Sequence, residues 1–576
     1  MLLALTVSAS VLVAPASALV MGSARGWHLQ HRTGHVIMKV PDEGLQGGKA
    51  LAERNAITEE PGRRGRFSRA WTSTLKEDAD WIGFIWGRCV DALDDALFRD
   101  RYLDQSDSTT ASDRHRVVVL GSGWGANAVL LQLKHATNCE VTVISPRNYF
   151  LFTPMLAGAA LGTLEPRSII ESIREANPKA EYYEAEATSI DAEAKTVTCE
   201  NVVCSGVNCD IRTFDVPYDS LIVAVGASTN TFGVKGVKEH CLFLKQLSDA
   251  IKFREQLGYA FEQASLPGLS DEERIKQLTF VVIGAGPTGV ELCGELRDFV
   301  AQDVPRLYKE LQRFVRVILL EASDKVLVAF DSDLQNAALE RLRSNDQGVS
   351  VDVRLSAGVN EVTEEEIILS DGSRIPYALS LWAAGIGTLD FVKDTAASIP
   401  AQAAHADQAR GRLAVDGWTR VVGAPGIFAF GDCAHVIDSP YPATAQVASQ
   451  AGTYLGRLFA DGYQFDVEGP PTLLAAAPGE RTLRHQLGKL DPKGSGLAPP
   501  FTFLNLGILA YVGKSEALVQ IAVGGGDAKK IKGAGAAGFA LWRSVYLSKQ
   551  YSLRNRILVA VDWAKARAFG RDLSRL

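Results

Sequence analysis

Phe280-Val-Val-Ile-Gly-Ala-Gly-Pro-Thr-Gly289 and, earlier in the chain, Val117-Val-Val-Leu-Gly-Ser-Gly-Trp-Gly-Ala126 are the two stretches on which the reading of this sequence turns. Each is an apolar, β-branched run ending in G-x-G-x-x-G or G-x-G-x-G-A, and each leads into a pattern with helical periodicity. The glycines permit a tight turn and a close backbone approach, and the following helix offers its N-terminal N–H groups to a pyrophosphate. A lone G-x-G-x-x-G is weak evidence, but a preceding strand and a following helix are the context the motif requires. Gly121, Ser122, Gly123, Trp124, Gly125 and Ala126 form the first candidate phosphate loop. Gly284, Gly286, Pro287, Thr288 and Gly289 form the second. Two such loops in one chain imply two dinucleotides facing each other, a flavin (FAD) and a nicotinamide (NADH).

Around these loops the chain repeats one plan. Residues 113–275 read as strand, loop, helix, strand, with a second strand over 140–144 and a later one over 220–225 ending at Gly226. Residues 276–390 repeat it with a strand over 315–320 and another entering the small-residue turn at Gly385. A further strand, 426–430, runs into Gly431-Asp432. The expected fold is therefore α/β, with two Rossmann-like domains. Because Gly431-Asp432 lies beyond the second half, the FAD domain is read as discontinuous (113–275 and 391–460). The NADH domain (276–390) is inserted into it, and 461–576 forms a C-terminal domain. A Pro/Gly-rich stretch over 468–500 reads as a linker or loop.

The acid at the end of the second strand of such a domain selects the nucleotide. In the second half it is Glu321, whose carboxylate suits two ribose hydroxyls and repels a 2′-phosphate, so NADH is favoured over NADPH. It stands further from the glycines than the roughly 20 residues usual for this fingerprint. The extra length, 298–314, reads as additional helix. In the first half the corresponding position is Ser145, and the expected acid is missing. Asp432, at a strand tip beside a glycine, is placed to serve the ribityl or pyrophosphate part of FAD instead.

Composition narrows the alternatives. The chain has 576 residues, 47% hydrophobic and 22% charged, with a net charge of −7, which is ordinary for a globular protein and gives no reason to expect nucleic acid binding. Eight cysteines include no C-x-x-C pair, and Cys199, Cys204 and Cys209 read as buried or loop residues rather than metal ligands. No metal site is expected. Residues 1–24 carry no charged side chain, and Ala16-Ser17-Ala18 resembles a cleavage site. The stretch 25–112 is rich in arginine. Together they read as a signal-like segment followed by an organellar presequence, which fits a mitochondrion or, alternatively, a plastid of complex origin.

Taken together, these residues resemble the type II (alternative, non-proton-pumping) NADH:quinone oxidoreductases, in their mitochondrial-type branch. The motifs that carry the resemblance are both glycine loops, Ser145-Pro-Arg-Asn-Tyr-Phe-Leu-Phe-Thr-Pro154, Phe430-Gly-Asp-Cys-Ala434, Thr444-Ala-Gln-Val-Ala-Ser-Gln450, and the terminal stretch from Trp542 to Asp572. The resemblance implies that Ser145, Pro146 and Arg147 belong to the flavin site, a serine being usual there. It places Thr153 and Pro154 beside the isoalloxazine ring and Glu291 near the nicotinamide–flavin contact. It further implies that Gln446 and Gln450 hold a membrane quinone, an expectation their four-residue spacing on one helix face permits. Glu291, on the first turns of its helix, is expected to be a dipole-stabilised carboxylate that orients NADH or relays a proton. No calcium-binding loop of the D-x-[DN]-x-[DN]-G kind interrupts the C-terminal half.

The implied activity is that of a rotenone-insensitive-type NADH:ubiquinone oxidoreductase of the respiratory chain, peripheral on the mitochondrial inner membrane and homodimeric. Residues 541–576 carry eight basic side chains against Asp562 and Asp572, a net +6, with apolar residues near helical spacing. Such a segment suits an anionic membrane surface. Two rivals share the fold. A sulfide:quinone oxidoreductase needs cysteines at the flavin, and a flavoprotein of the apoptosis-inducing, signalling kind binds NADH with little turnover.

Overall fold

The computed structural model describes residues 114–573, apart from 135, 204–210, 346–347, 466–468, 474–495 and 523–529. The targeting segments 1–24 and 25–112, Cys204, Cys209 and most of the 468–500 stretch lie outside the described residues.

In chain order, the elements that build the site begin with β1 (His115–Leu120), α1 (Trp124–Leu133), β2 (Cys139–Ile144), β3 (Glu181–Tyr183), β4 (Ser220–Val223) and β5 (Leu242–Phe243). The chain continues through β6 (Thr279–Ile283), α2 (Pro287–Gln302), β7 (Arg316–Leu320), β8 (Val351–Arg354) and β9 (Leu379–Trp382). It ends with β10 (Ile427–Ala429), α3 (Ala445–Ala460), β11 (Ile508–Gly513), β12 (Glu516–Ala522), β13 (Lys530–Gly533), α4 (Ala536–Lys549) and α5 (Leu553–Phe569).

Two five-stranded sheets follow the duplicated plan. The first has the order β10-β4-β1-β2-β3, the second β5-β9-β6-β7-β8, and every pairing within them is parallel. In both, the strand bearing the glycine loop sits at the centre. Its apolar run is buried on both faces, as a parallel sheet covered by helices requires: Val117, Val118, Val119 and Leu120 are buried, and so are Phe280, Val281, Val282 and Ile283. The first sheet takes its last strand, β10, from the far side of the second, so the second half is inserted into the first. The second sheet also reaches back across residue 275, because β5 pairs with β9. Three-residue β3 and two-residue β5 are too short to carry a periodic signal, which is why sequence patterning passes over them.

Each sheet is accompanied by a three-stranded antiparallel unit, Ala185–Asp191, Thr196–Asn201 and Thr213–Pro217 in one half, Val359–Val362, Glu366–Leu369 and Arg374–Pro376 in the other. Cys199 is buried in the first of these units, and among the described residues no group of histidine, cysteine or acidic side chains could hold a metal. Residues 298–314 form the end of α2, the turn Val304–Leu307 and the 3-10 turn Gln312–Phe314, largely as the extra helix anticipated there. The C-terminal part contributes the antiparallel sheet β11-β12-β13 and the helices α4 and α5. No helix among the described residues is long and apolar enough to cross a membrane.

Candidate functional site

The two glycine loops have nearly superimposable logic. Gly121 and Gly284 adopt φ values of +111° and +108°, a region that favours glycine. Their N–H groups donate to the last carbonyl of the neighbouring strand, Ile144 and Leu320, at 2.8 Å in each case. A Cβ on Gly121 would lie 2.5 Å from the Ala224 carbonyl oxygen, and one on Gly284 would lie 2.9 Å from the Ala384 nitrogen. The second glycines, Gly123 and Gly286, behave differently: a Cβ on either would meet nothing within 4 Å. Both are the N-caps of the helices that follow, and neither receives a side-chain cap. Open space thus faces the uncapped first-turn N–H groups of α1 and α2, the cradle a pyrophosphate needs. The third glycines secure packing. A Cβ on Gly289 would fall 2.0 Å from the Gly284 carbonyl oxygen, and one on Gly125 would fall 2.4 Å from the Phe430 ring. Gly226, with φ +75°, likewise faces open space beyond β4. The residues present therefore fit one dinucleotide on each sheet, FAD on the first and NADH on the second.

On the first sheet Ser145 stands where an acid is customary. Its hydroxyl donates to Ser122 Oγ at 3.0 Å and accepts from the Arg147 N–H at 3.2 Å, tying the end of β2 to the glycine loop. Arg147 reaches the same Ser122 hydroxyl (3.3 Å) and the Tyr149 carbonyl (3.2 Å), and also donates to Gln246. Burial pulls its pKa down, with Tyr149 and Tyr182 opposing. Such a half-buried cation is suited to an anionic ligand. The Trp124 indole donates to Thr153 Oγ1 at 3.0 Å, joining the loop to the Thr153-Pro154 turn.

Asp432 begins the turn after β10, beside Gly431 at φ +74°. Burial raises its pKa, opposed by the charges of Lys245 and Arg412. Lys245 in turn is pulled down by burial, with Asp432 opposing, and donates to the Ser228 carbonyl at 3.2 Å. Sequence reasoning missed Lys245 and Arg412. Each sits in an irregular segment with no motif, and only tertiary placement brings it to Asp432.

On the second sheet the Glu321 carboxylate is anchored at both oxygens. It accepts the Ala285 N–H at 2.7 Å and the Ser323 N–H at 2.9 Å, so it fastens the glycine loop to the end of β7. Pro287 and Thr288 lie exposed at the start of α2. Gly385 (φ +78°) closes the turn after β9, with the exposed Phe232 ring packed where its Cβ would be.

Glu291 departs from expectation in its charge. It sits four residues inside α2, past the first turn where the helix dipole acts, and it is buried. Burial pushes its carboxyl up to about 8, only partly opposed by the Tyr511 N–H that donates to Oε1 at 3.2 Å. Desolvation outweighs the dipole, and the group is predominantly neutral at pH 7. The neighbouring acids on α2 are handled differently. Glu295 accepts from Thr163 Oγ1 (2.7 Å) and pairs with Arg571 (3.1 Å), and Arg571 also pairs with Asp303 at 2.9 Å. Asp298 accepts from the Tyr511 hydroxyl and from the Lys514 N–H at 2.7 Å.

Gln446 and Gln450 do share one face of α3, but their amides are engaged. Gln446 donates to the Gly507 carbonyl (2.7 Å) and accepts from the Leu506 N–H (3.1 Å). Gln450 donates to the Leu504 carbonyl (2.8 Å) and accepts from the Leu504 N–H (2.9 Å). Between them Ser449 Oγ lies 3.3 Å from the Tyr551 hydroxyl.

An aromatic series links the flavin-side loop to the C-terminal helices. Trp124 contacts Phe150 and Phe152 at centroid distances of 5.0 and 5.1 Å, Phe152 contacts Tyr546 at 6.0 Å, and Tyr546 contacts Trp542 at 4.8 Å. On α5, Leu553, Ile557, Val561 and Phe569 recur at multiples of four residues and are all exposed. A cavity of about 920 Å³ lies elsewhere, between the end of α5 and the Arg306–Tyr308 region. None of its lining residues belongs to a glycine loop. A dinucleotide site of this kind is an open crevice along strand ends rather than an enclosed void.

Residues 115–452 match the pyridine nucleotide-disulphide oxidoreductase family, and residues 505–572 match the NDH2 C-terminal domain. A probable NADH dehydrogenase of Dictyostelium discoideum is 38% identical over 465 residues, covering 80% of this chain and 91% of that protein. The mitochondrial internal alternative NAD(P)H-ubiquinone oxidoreductase A1 of Arabidopsis thaliana is 35% identical over 500 residues, covering 84% and 89%. The solved structure of NDH2 from Plasmodium falciparum in complex with NADH superposes with a TM-score of 0.67 at 25% identity, covering 80% of this chain and all of that one. Two parallel sheets with paired glycine loops, joined to this C-terminal domain, place the chain in the family of type II NADH:quinone oxidoreductases.

Proposed function

We propose that the protein oxidises NADH and reduces a membrane ubiquinone without pumping protons. The observation that carries this reading is the pair of glycine loops, each presenting an uncapped helix start and a glycine with open space in front of it, within one chain. FAD, held at the first loop, would supply the redox chemistry, taking up a hydride from NADH and giving two electrons to the quinone. The chain's own residues bind, orient and protect. The loops around Gly123 and Gly286 would hold the two pyrophosphates. Arg147 and Ser122 supply donors on the flavin side, and Asp432 accepts from it. Glu321, held by two N–H groups, would accept from the ribose hydroxyls and disfavour a 2′-phosphate. Glu291 holds a proton, with Oε1 accepting from the Tyr511 N–H, which suits it to orient NADH or to relay a proton toward the quinone.

The aromatic series from Trp124 to Trp542 offers an apolar route between the flavin side and α4. The exposed stripe on α5, interleaved with Arg554, Arg556, Lys565 and Arg567, suits docking on an anionic bilayer without crossing it. Relatives named as mitochondrial support a peripheral place on the mitochondrial inner membrane. The test is to purify the protein in detergent, record its flavin spectrum and follow NADH oxidation with and without a short-chain quinone, then with NADPH. Flavin bleaching by NADH with fast quinone-dependent turnover and a weak NADPH rate is expected. Bleaching without quinone turnover would remove the quinone reading and favour a signalling flavoprotein.

A further inference from the structure

The nucleotide crevice of the second sheet has one marked end. Glu321 follows β7, on one side of the central strand β6, and the uncapped start of α2 follows β6 itself. A dinucleotide lies along the strand ends of such a sheet. With its pyrophosphate at α2 and its adenosine ribose at Glu321, its other half runs the opposite way, toward β9, which pairs β6 on the far side. The turn after β9 stands flush with the glycine loop: a Cβ on Gly284 would lie 2.9 Å from the Ala384 nitrogen and 3.0 Å from the Ala383 carbonyl carbon. From there the turn runs through Gly385 to Ile386.

The chain leaves the flavin sheet at Gly226 and reaches this turn through Ser228-Thr229, which pairs antiparallel with Ile386-Gly387. Phe232 follows at φ +52°, a left-handed conformation rare for a bulky side chain. Its neighbours hold it there. The Phe232 N–H donates to Asn230 Oδ1 at 2.8 Å, and the Asn230 carbonyl accepts the Trp382 indole N–H at 3.0 Å. The ring edge lies 2.7 Å from the place a Cβ on Gly385 would take, so glycine is what admits it. Yet the ring residue is 64% exposed, and Ile386, next along the turn, 57%. Core packing does not explain a costly backbone conformation that presents an aromatic ring mostly to water. We propose that Phe232 is a further substrate-binding residue: with Ile386, its ring forms an apolar wall against which the nicotinamide half of NADH lies. The wall stands on the segment joining the two crevices, where a flat ring has to be held for transfer to the flavin. The inference rests on the reading that NADH occupies the second sheet.

The experiment is calorimetric titration of the FAD-loaded protein in detergent with NAD+ and, separately, with ADP, which carries the adenosine half and the pyrophosphate but no nicotinamide. Phe232→Ala is expected to weaken NAD+ binding about tenfold and to change ADP binding by less than about twofold, the loss of one aromatic contact. Phe232→Tyr, which keeps the ring, is expected to bind NAD+ as the wild type does. Thermal unfolding of both variants should match the wild type, because the ring is mostly exposed. Unchanged NAD+ affinity in Phe232→Ala would overturn the proposal. So would an equal loss for both ligands, because the ring would then support the loop instead of touching the nicotinamide half. If Phe232→Ala does not fold, Ile386→Ser leaves the strained residue in place and should still weaken NAD+ selectively; an unselective or absent effect would overturn the wall. A wild type that binds neither ligand would remove the NADH reading and the wall with it, whereas a wild type that binds both beside an unaffected variant removes the wall alone.

Discussion

Glu291→Gln should make the protein more stable, and increasingly so as the pH rises. Burial displaces the folded carboxyl from the usual 4.5 to about 8, which corresponds to ~5 kcal/mol of penalty for ionising it in place. The folded chain binds this proton more tightly than the unfolded chain does. The stability that the wild-type group contributes is thus fully present below about pH 4.5, falls across the window between 4.5 and 8, and is gone above it. A glutamine has no such dependence and keeps an oxygen for the Tyr511 N–H. The variant's advantage should grow from near zero at pH 4.5 to ~3 kcal/mol at pH 7 and ~5 kcal/mol above pH 8. Urea unfolding of both proteins, FAD-loaded, across this range reads the difference directly. The same variant should lose the alkaline limb that the wild-type kcat profile is expected to show near pH 8. A stability gap that stays flat with pH, or that favours the wild type more strongly at pH 8 than at pH 5, would refute a neutral, desolvated Glu291.

Three further outcomes follow from the same geometry. Gly289→Ala puts a Cβ 2.0 Å from the Gly284 carbonyl oxygen, so NADH should no longer bleach the flavin although FAD stays bound; titration of the purified protein shows both. Arg571→Ala removes the cation shared by Glu295 and Asp303, whose side chains are 10% and 3% exposed, leaving Glu295 only the Thr163 hydroxyl and Asp303 the Arg306 guanidinium at 3.4 Å. The loss should be ~3–5 kcal/mol in thermal or urea unfolding, with Arg571→Lys recovering only part of it because a lysine cannot reach both acids with a rigid fork. Ile557→Ser combined with Val561→Ser removes two half-exposed apolar groups. It should weaken sedimentation with anionic vesicles by about tenfold to thirtyfold, at about 1 kcal/mol each, with no change in unfolding.

The architecture was legible because its signals are local. A β-branched run, three glycines at fixed offsets and a helix start lie within about ten residues at each loop, and the duplication makes the second copy check the first. The discontinuity followed from the position of Gly431-Asp432 alone. What escaped the sequence is what depends on depth. The place of Glu291 in the chain suggested a charged group near a helix start, but the pattern of residues does not show how completely β11 and α4 cover it. Lys245 and Arg412 reach Asp432 from segments with no pattern. The four-residue spacing of Gln446 and Gln450 revealed a shared helix face without revealing that the chain's own backbone occupies it. That occupant lies more than fifty residues downstream, in a stretch with no periodicity to announce it.

The strand order of the two sheets bears on the order of events during synthesis. The second sheet draws on residues 242–382, whereas the first waits for β10 at 427–429 to flank β4. A chain growing from its N-terminus therefore makes available every strand of the nicotinamide half while the flavin half still lacks its outer strand and the Asp432 turn. Domains fold as units once their residues have left the ribosome, so the inserted half can mature first and serve as the template on which its host closes. Retention of FAD would then report that the nascent chain has passed residue 432, a late checkpoint written into the connectivity itself.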